Sequence, residues 1–107
     1  MMKITNSKTP YDLEDRTFEF AKQVRLIVKT LQKTIANIED SKQLVKASGS
    51  VGANYIEANE ALSKKDFLYR IRISRKETKE SAYWLRIIVE VNDEQYKKEG
   101  LKLYQEA

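Results

Sequence analysis

Lys65, Tyr69, Arg72, Lys76, Lys79, Tyr83 and Arg86 step along the chain by four, three, four, three, four and three residues. On an α-helix that spacing puts all seven on one face, as five cations interleaved with two phenol rings. Such a stripe attracts phosphates, and exposed tyrosines within it can stack on unpaired bases. Arg70 and Arg75 flank it. Two other uses of the same residues stay open: a solvated outer face of a bundle helix, with tyrosine rings packed against a neighbour, or a surface for a protein partner. Charge is not spread evenly along the chain. Residues 63–91 contain eight basic and four acidic side chains and the remainder twelve of each, so the whole net charge of +4 belongs to this segment. A low-specificity RNA or DNA interaction is the function class that the residue chemistry favours.

Other chemistry is sparse. The chain has no histidine and no cysteine, which removes the usual general base near neutral pH, the commonest transition-metal ligand, the thiol nucleophile and any disulfide. Glu57, Glu77 and Glu80 are the carboxylates that invite an acid–base reading. Their expected role is structural, Glu57 near a helix interface and Glu77 and Glu80 partnering lysines at three- and four-residue spacing. No G-x-x-x-x-G-K phosphate loop occurs. Gly49-Ser50-Val51-Gly52 spells the G-x-x-G of a KH domain, but that module needs a three-stranded sheet and no segment here alternates like a strand. The expectation is a non-enzymatic protein without metal or cofactor. No apolar stretch is long enough to span a membrane and the N-terminus lacks a signal-like apolar core, so a cytoplasmic setting without membrane contact is expected.

The elements that position these residues all read as helix, since one proline and three glycines leave little turn chemistry for a β-protein. A loose segment, residues 1–8, precedes one domain over residues 9–107. Helix one is expected to start at Thr9 or Pro10, followed by Asp12, Glu14 and Asp15 near its positive end. Its core face carries Leu13, Phe20, Val24, Ile27, Leu31 and Ile38, widened by Phe18, Ala21, Val28 and Ile35. Asp40 or Ser41 is expected to cap helix two, with Gln43 reaching back, and Leu44, Ser48, Val51, Tyr55, Ala58 and Leu62 facing the core. Ser63 and Asp66 mark the start of a long helix three, through Phe67, Ile71, Thr78, Ala82, Leu85, Ile88 and Val89 to about Val91. After Asn92-Asp93 a short fourth helix carries Tyr96, Leu101, Leu103 and Tyr104, weakened by Gly100. Short connections make consecutive helices antiparallel neighbours, so the expected fold is an all-α, up-down-up-down four-helix bundle with a short fourth helix.

Within helix two, Ala47-Ser48-Gly49-Ser50-Val51-Gly52-Ala53 gathers two of the three glycines. Glycine inside a helix costs up to ~1 kcal/mol relative to alanine, so the run implies either a close helix crossing or a break at Gly49. Trp84, the only tryptophan, lies just off the core stripe of helix three and suits either the core or an interface between subunits.

Gln43-Leu44 leads into Lys46-Ala47-Ser48-Gly49-Ser50-Val51-Gly52-Ala53-Asn54-Tyr55, then Glu57-Ala58, Ser63 and Lys65-Asp66-Phe67; Lys76-Glu77, Glu80-Ser81 and Tyr83-Trp84-Leu85 follow. This set resembles the small four-helix-bundle proteins encoded in intervening sequences of 23S ribosomal RNA genes. Their signature is a small-residue run ending in Val-x-x-Asn-x-x-Glu, then a Ser-x-x-(Asp/Glu)-Phe helix start and a later Glu before an aromatic–apolar patch. The resemblance is close over residues 43–91 and looser over helix one. It implies helix-packing roles for Gly49, Val51, Gly52, Asn54, Glu57 and Phe67, and an antiparallel bundle whose protomers form a ring, typically a homopentamer. The fold also resembles the accessory protein of diversity-generating retroelements, a basic pentameric barrel that binds nucleic acid and a reverse transcriptase. By that likeness five copies of a chain of net charge +4 would bring about +20 to one assembly. No biochemical activity is established for the intervening-sequence proteins. This chain stops at Gln105-Glu106-Ala107, where such proteins commonly continue their last helix.

Overall fold

The computed structural model describes residues 12–92 and Gln105. Three helices account for nearly all of them: α1 (Leu13–Thr30), α2 (Ile35–Asn59) and α3 (Lys64–Val91). Among the described residues there is no strand. Thr9, Pro10 and the expected fourth helix with Tyr96, Leu101, Leu103 and Tyr104 lie outside the described residues, so the four-helix expectation reduces here to an all-α, three-helix arrangement.

Local side-chain chemistry sets the helix ends. At the start of α1 the Asp12 carboxylate accepts from the Asp15 N–H at 3.3 Å, with Glu14 and Asp15 in the first turn beside the positive end of the helix. The α1–α2 boundary departs from the sequence reading. Helix one does not run on to Ile38, and neither Asp40 nor Ser41 is a cap. The chain leaves α1 at Leu31, and Thr34 caps α2 by accepting from the Asn37 N–H at 3.1 Å. Leu31, Ile35 and Ile38 keep helical spacing across this turn, so periodicity alone cannot show it. The cost appears as exposure: Ile35, at the first position of α2, is 84% exposed, and Ser41 is buried mid-helix. Leu62 departs too. α2 ends at Asn59, and Leu62 stands fully exposed in the turn instead of on the core face. Ser63 caps α3 as its spacing predicts, accepting from the Asp66 N–H at 3.1 Å.

α2 runs unbroken through Gly49 and Gly52 and is the central element, touching both α1 and α3. A Cβ on Gly52 would lie 2.7 Å from Thr17 Oγ1 and 3.1 Å from Thr17 Cβ, so the missing side chain is what lets α1 approach. Of the two alternatives for the small run, the close crossing is realised and the break is not. Contacts of Thr17 with Gly52 and Arg25 with Ser48 make α1 and α2 antiparallel; Ser74 with Val51 and Asn92 with Asn37 do the same for α2 and α3.

The core gathers toward one end: Phe20, Val24 and Ile27 of α1, Leu31, Leu44 of α2, and Leu85 and Ile88 of α3, with Val28, Val45 and Trp84 packed against them. Ser48 and Ser81 are fully buried, and each hydroxyl is satisfied within its own helix, by the Val45 and Glu77 carbonyls. The buried Asn37 and the half-buried Asn92 exchange side-chain hydrogen bonds in both directions, at 2.9 and 3.0 Å, tying the start of α2 to the end of α3. Toward the opposite end Val51 and Ala58 are buried, and polar bonds join α2 to α3. The Ser74 hydroxyl donates to the Val51 carbonyl at 2.9 Å, and Arg70 donates to Asn54 Oδ1 at 3.2 Å.

Candidate nucleic-acid interface

α3 is a continuous helix of 28 residues that buries Ser81, Leu85, Ile88 and Val89 against its partners. Burial of that side fixes the rotation of the helix and turns the stripe outward. Lys65, Tyr69, Arg72, Lys76, Lys79, Tyr83 and Arg86 are all exposed, along about 32 Å of helix. Beside the stripe lies an open cavity of about 510 Å³; its lining among the described residues is Arg72, Arg75, Lys76, Lys79, Glu80 and Tyr83. Four cations there face one carboxylate.

The cations have no acidic partners among the described residues. The ion pairs there, Lys22–Glu19 at 4.0 Å and Lys42–Glu39 at 3.5 Å, lie on α1 and α2. Glu77 and Glu80 do not make the lysine pairs that the sequence reading assigns them. Glu77 has no lysine or arginine three or four residues away, and Glu80 has only Lys76 on its N-terminal side, the weaker order for such a pair. Glu57 is exposed near the end of α2, and among the described residues it does not line the cavity with Glu80. Among the described residues no cluster of three acidic side chains is placed to hold a metal ion.

Both tyrosines of the stripe are held by neighbours anchored in the fold. The Arg70 guanidinium sits 5.7 Å from the centre of the Tyr69 ring, while its Nη1 bonds to Asn54 on α2. Tyr83 meets Trp84 edge to face, ring centres 5.2 Å apart and planes at 74°. Trp84 in turn is half-buried against the core. Tyr69 and Tyr83 still keep 56% and 59% of their surface exposed. Sequence reasoning placed the tyrosines but missed these supports. Arg70 and Trp84 were each visible one position along, and the bond to Asn54 across helices was not.

The residues assigned to packing divide. Val51 is buried, and Gly49 and Gly52 lie under α1, with Arg25 and Thr17 above them. Asn54 joins α2 to α3 through Arg70, and its amide N–H also donates to the Ser50 carbonyl at 2.9 Å. Phe67, in the first turn of α3, is 38% exposed.

Comparison with known proteins agrees with the motif-based resemblance. The family model of the 23S rRNA-intervening sequence protein matches residues 11–107. The chain belongs to that family. Among solved structures, it is similar to a protein of unknown function from the S23 ribosomal protein family of Bacteroides thetaiotaomicron VPI-5482, at 27% sequence identity and a TM-score of 0.65. That match covers 87% of this chain and 92% of the other. No curated protein matches it. Among the described residues no helix is long and apolar enough to cross a membrane.

Proposed function

We propose that this 23S rRNA-intervening sequence protein is a self-assembling helical bundle that offers the outer face of α3 to RNA or DNA, with little sequence selectivity and without catalysis. The observation that carries the reading is the exposed Lys65–Arg86 stripe, whose cations have no acidic partners among the described residues and are therefore available to phosphate. Side chains of one helix, spaced by its turns, neutralise a phosphate backbone without reading base edges, which gives affinity with little selectivity.

Self-assembly belongs to the same reading. Phe18, Leu26, Ile56, Leu68 and Val91 are large apolar side chains left exposed on all three helices, more than single chance exposures require. A ring of the kind implied by the family likeness, completed by the fourth helix expected after Asn92, would cover part of this surface and repeat the stripe on every protomer. Light scattering with absorbance at 260 nm, followed by retention of RNA at low salt, tests both parts. The expected result is a mass several times 12.5 kDa and RNA retained at about 50 mM salt and released as salt rises. A monomer that retains neither RNA nor DNA at that salt contradicts the proposal.

A further inference from the structure

The nucleic-acid reading leaves open whether the ligand is paired. The supports under the two tyrosines bear on that question. Tyr69 and Tyr83 are 14 residues apart on one helix face, about 21 Å along the axis. Each ring is steadied on one side, Tyr69 by Arg70, itself bonded to Asn54, and Tyr83 by Trp84, itself packed on the core. More than half of each side chain remains open to solvent. Between them Arg72, Lys76 and Lys79 are exposed, without acidic partners among the described residues.

We infer that the stripe is a binding track for single-stranded nucleic acid, in which Tyr69 and Tyr83 are stacking platforms for two unpaired bases and Arg72, Lys76 and Lys79 neutralise the backbone between them. This rests on the nucleic-acid reading above and adds the pairing state of the ligand and the role of each ring. The chemistry separates single strand from duplex. A base stacked in a duplex offers no free face to a protein ring unless it is first unstacked, which costs free energy. An unpaired base offers its face at once, and a stack on an aromatic side chain strengthens binding whatever the base. Steadied rings lose less freedom on binding than mobile ones, so anchoring each tyrosine through a neighbour raises affinity without a new contact. The span fits a short strand. About 21 Å corresponds to about six nucleotides at the ~3.4 Å per nucleotide of a stacked strand, and to fewer in an extended one. Base identity is not read, because every base has a π-face.

The test is fluorescence anisotropy on the full chain with a labelled mixed-sequence RNA strand, the DNA strand of the same sequence, and the duplex of that DNA strand with its complement, at matched salt. At least one single strand should bind about tenfold or more tighter than the duplex. Tyr69→Leu and Tyr83→Leu should each weaken single-strand binding about tenfold, leaving duplex binding and the salt dependence unchanged, whereas Tyr83→Phe should retain affinity. Both side chains are exposed, so far-UV circular dichroism should match the parent in every variant. Duplex binding equal to single-strand binding, with both leucine variants silent, overturns the inference while the basic-stripe reading stands. Binding of none of the three probes overturns both.

Discussion

At the residue scale, the small run on α2 was legible because glycine in a helix interior is costly enough to demand a reason. The two glycines do not have the same reason. A methyl group on Gly52 would meet Thr17 Oγ1 at 2.7 Å and Thr17 Cβ at 3.1 Å, and the Thr17 hydroxyl is already committed to the Glu14 carbonyl at 2.9 Å. Nothing there gives way cheaply, so α1 must move. A methyl on Gly49 would meet only the Arg25 Nη2, at 3.1 Å; that nitrogen donates to the Val45 carbonyl at 3.2 Å, but it ends a long, flexible side chain that can shift by the few tenths of an ångström needed. Gly52→Ala is therefore expected to lose about 1–2 kcal/mol, overpacking outweighing the gain in helix propensity. Gly49→Ala should stay within about 0.5 kcal/mol of the parent, or exceed it. Urea denaturation of both variants checks the contrast; equal losses would show that the two crossings are equally tight. The sequence could flag the run but not this distinction, which depends on which α1 side chain lies above each position.

At the element scale, helix identity was readable and helix boundaries were only partly so. Ser63 with Asp66 announced α3 because the cap and its partner stand three residues apart in the chain. The α1–α2 turn was hidden, since Leu31, Ile35 and Ile38 preserve the apolar period through it and only Thr34 marks the new start. The Asn37–Asn92 pair was beyond sequence reasoning altogether. Its members are 55 residues apart, and their reciprocal bonds exist only once α2 and α3 lie antiparallel. Each amide also bonds a backbone carbonyl, Asn37 to Gln32 at 3.0 Å and Asn92 to Ile88 at 2.7 Å, so the pair closes both helix ends together. Asn37→Ala should cost about 1–3 kcal/mol, because it strands the partly buried amide of Asn92 as well as removing its own bonds. The double variant with Asn92→Ala should cost less than the sum of the singles, a coupling that a double-mutant cycle by thermal or chemical denaturation measures. Strict additivity would mean that the two amides act separately.

At the scale of the whole molecule, the three described helices pack around α2, and the α3 segment, residues 63–91, carries the chain's whole net charge of +4, with five of its eight cations in the exposed stripe. Composition gave that charge and its segment, and spacing gave the stripe. What it could not give was the outward rotation of that face, set by burial of Ser81, Leu85, Ile88 and Val89, or the absence of ion pairs to its cations among the described residues. Family membership adds a fold and a history of unknown function, and leaves the use of the stripe to be settled by the molecule itself. Charge carried by exposed, unpaired side chains makes a quantitative claim, because each phosphate neutralised releases condensed counterions and steepens the salt dependence of binding. The direct measurement is the slope of log affinity against log salt for a single-stranded RNA, compared between the parent and the variant Arg72→Gln, Lys76→Gln, Lys79→Gln. The account predicts measurable binding at low salt by the parent and a slope shallower by about 2 in the variant, at about 0.7 per lost phosphate contact. Identical slopes, or no binding by the parent at low salt, would contradict it.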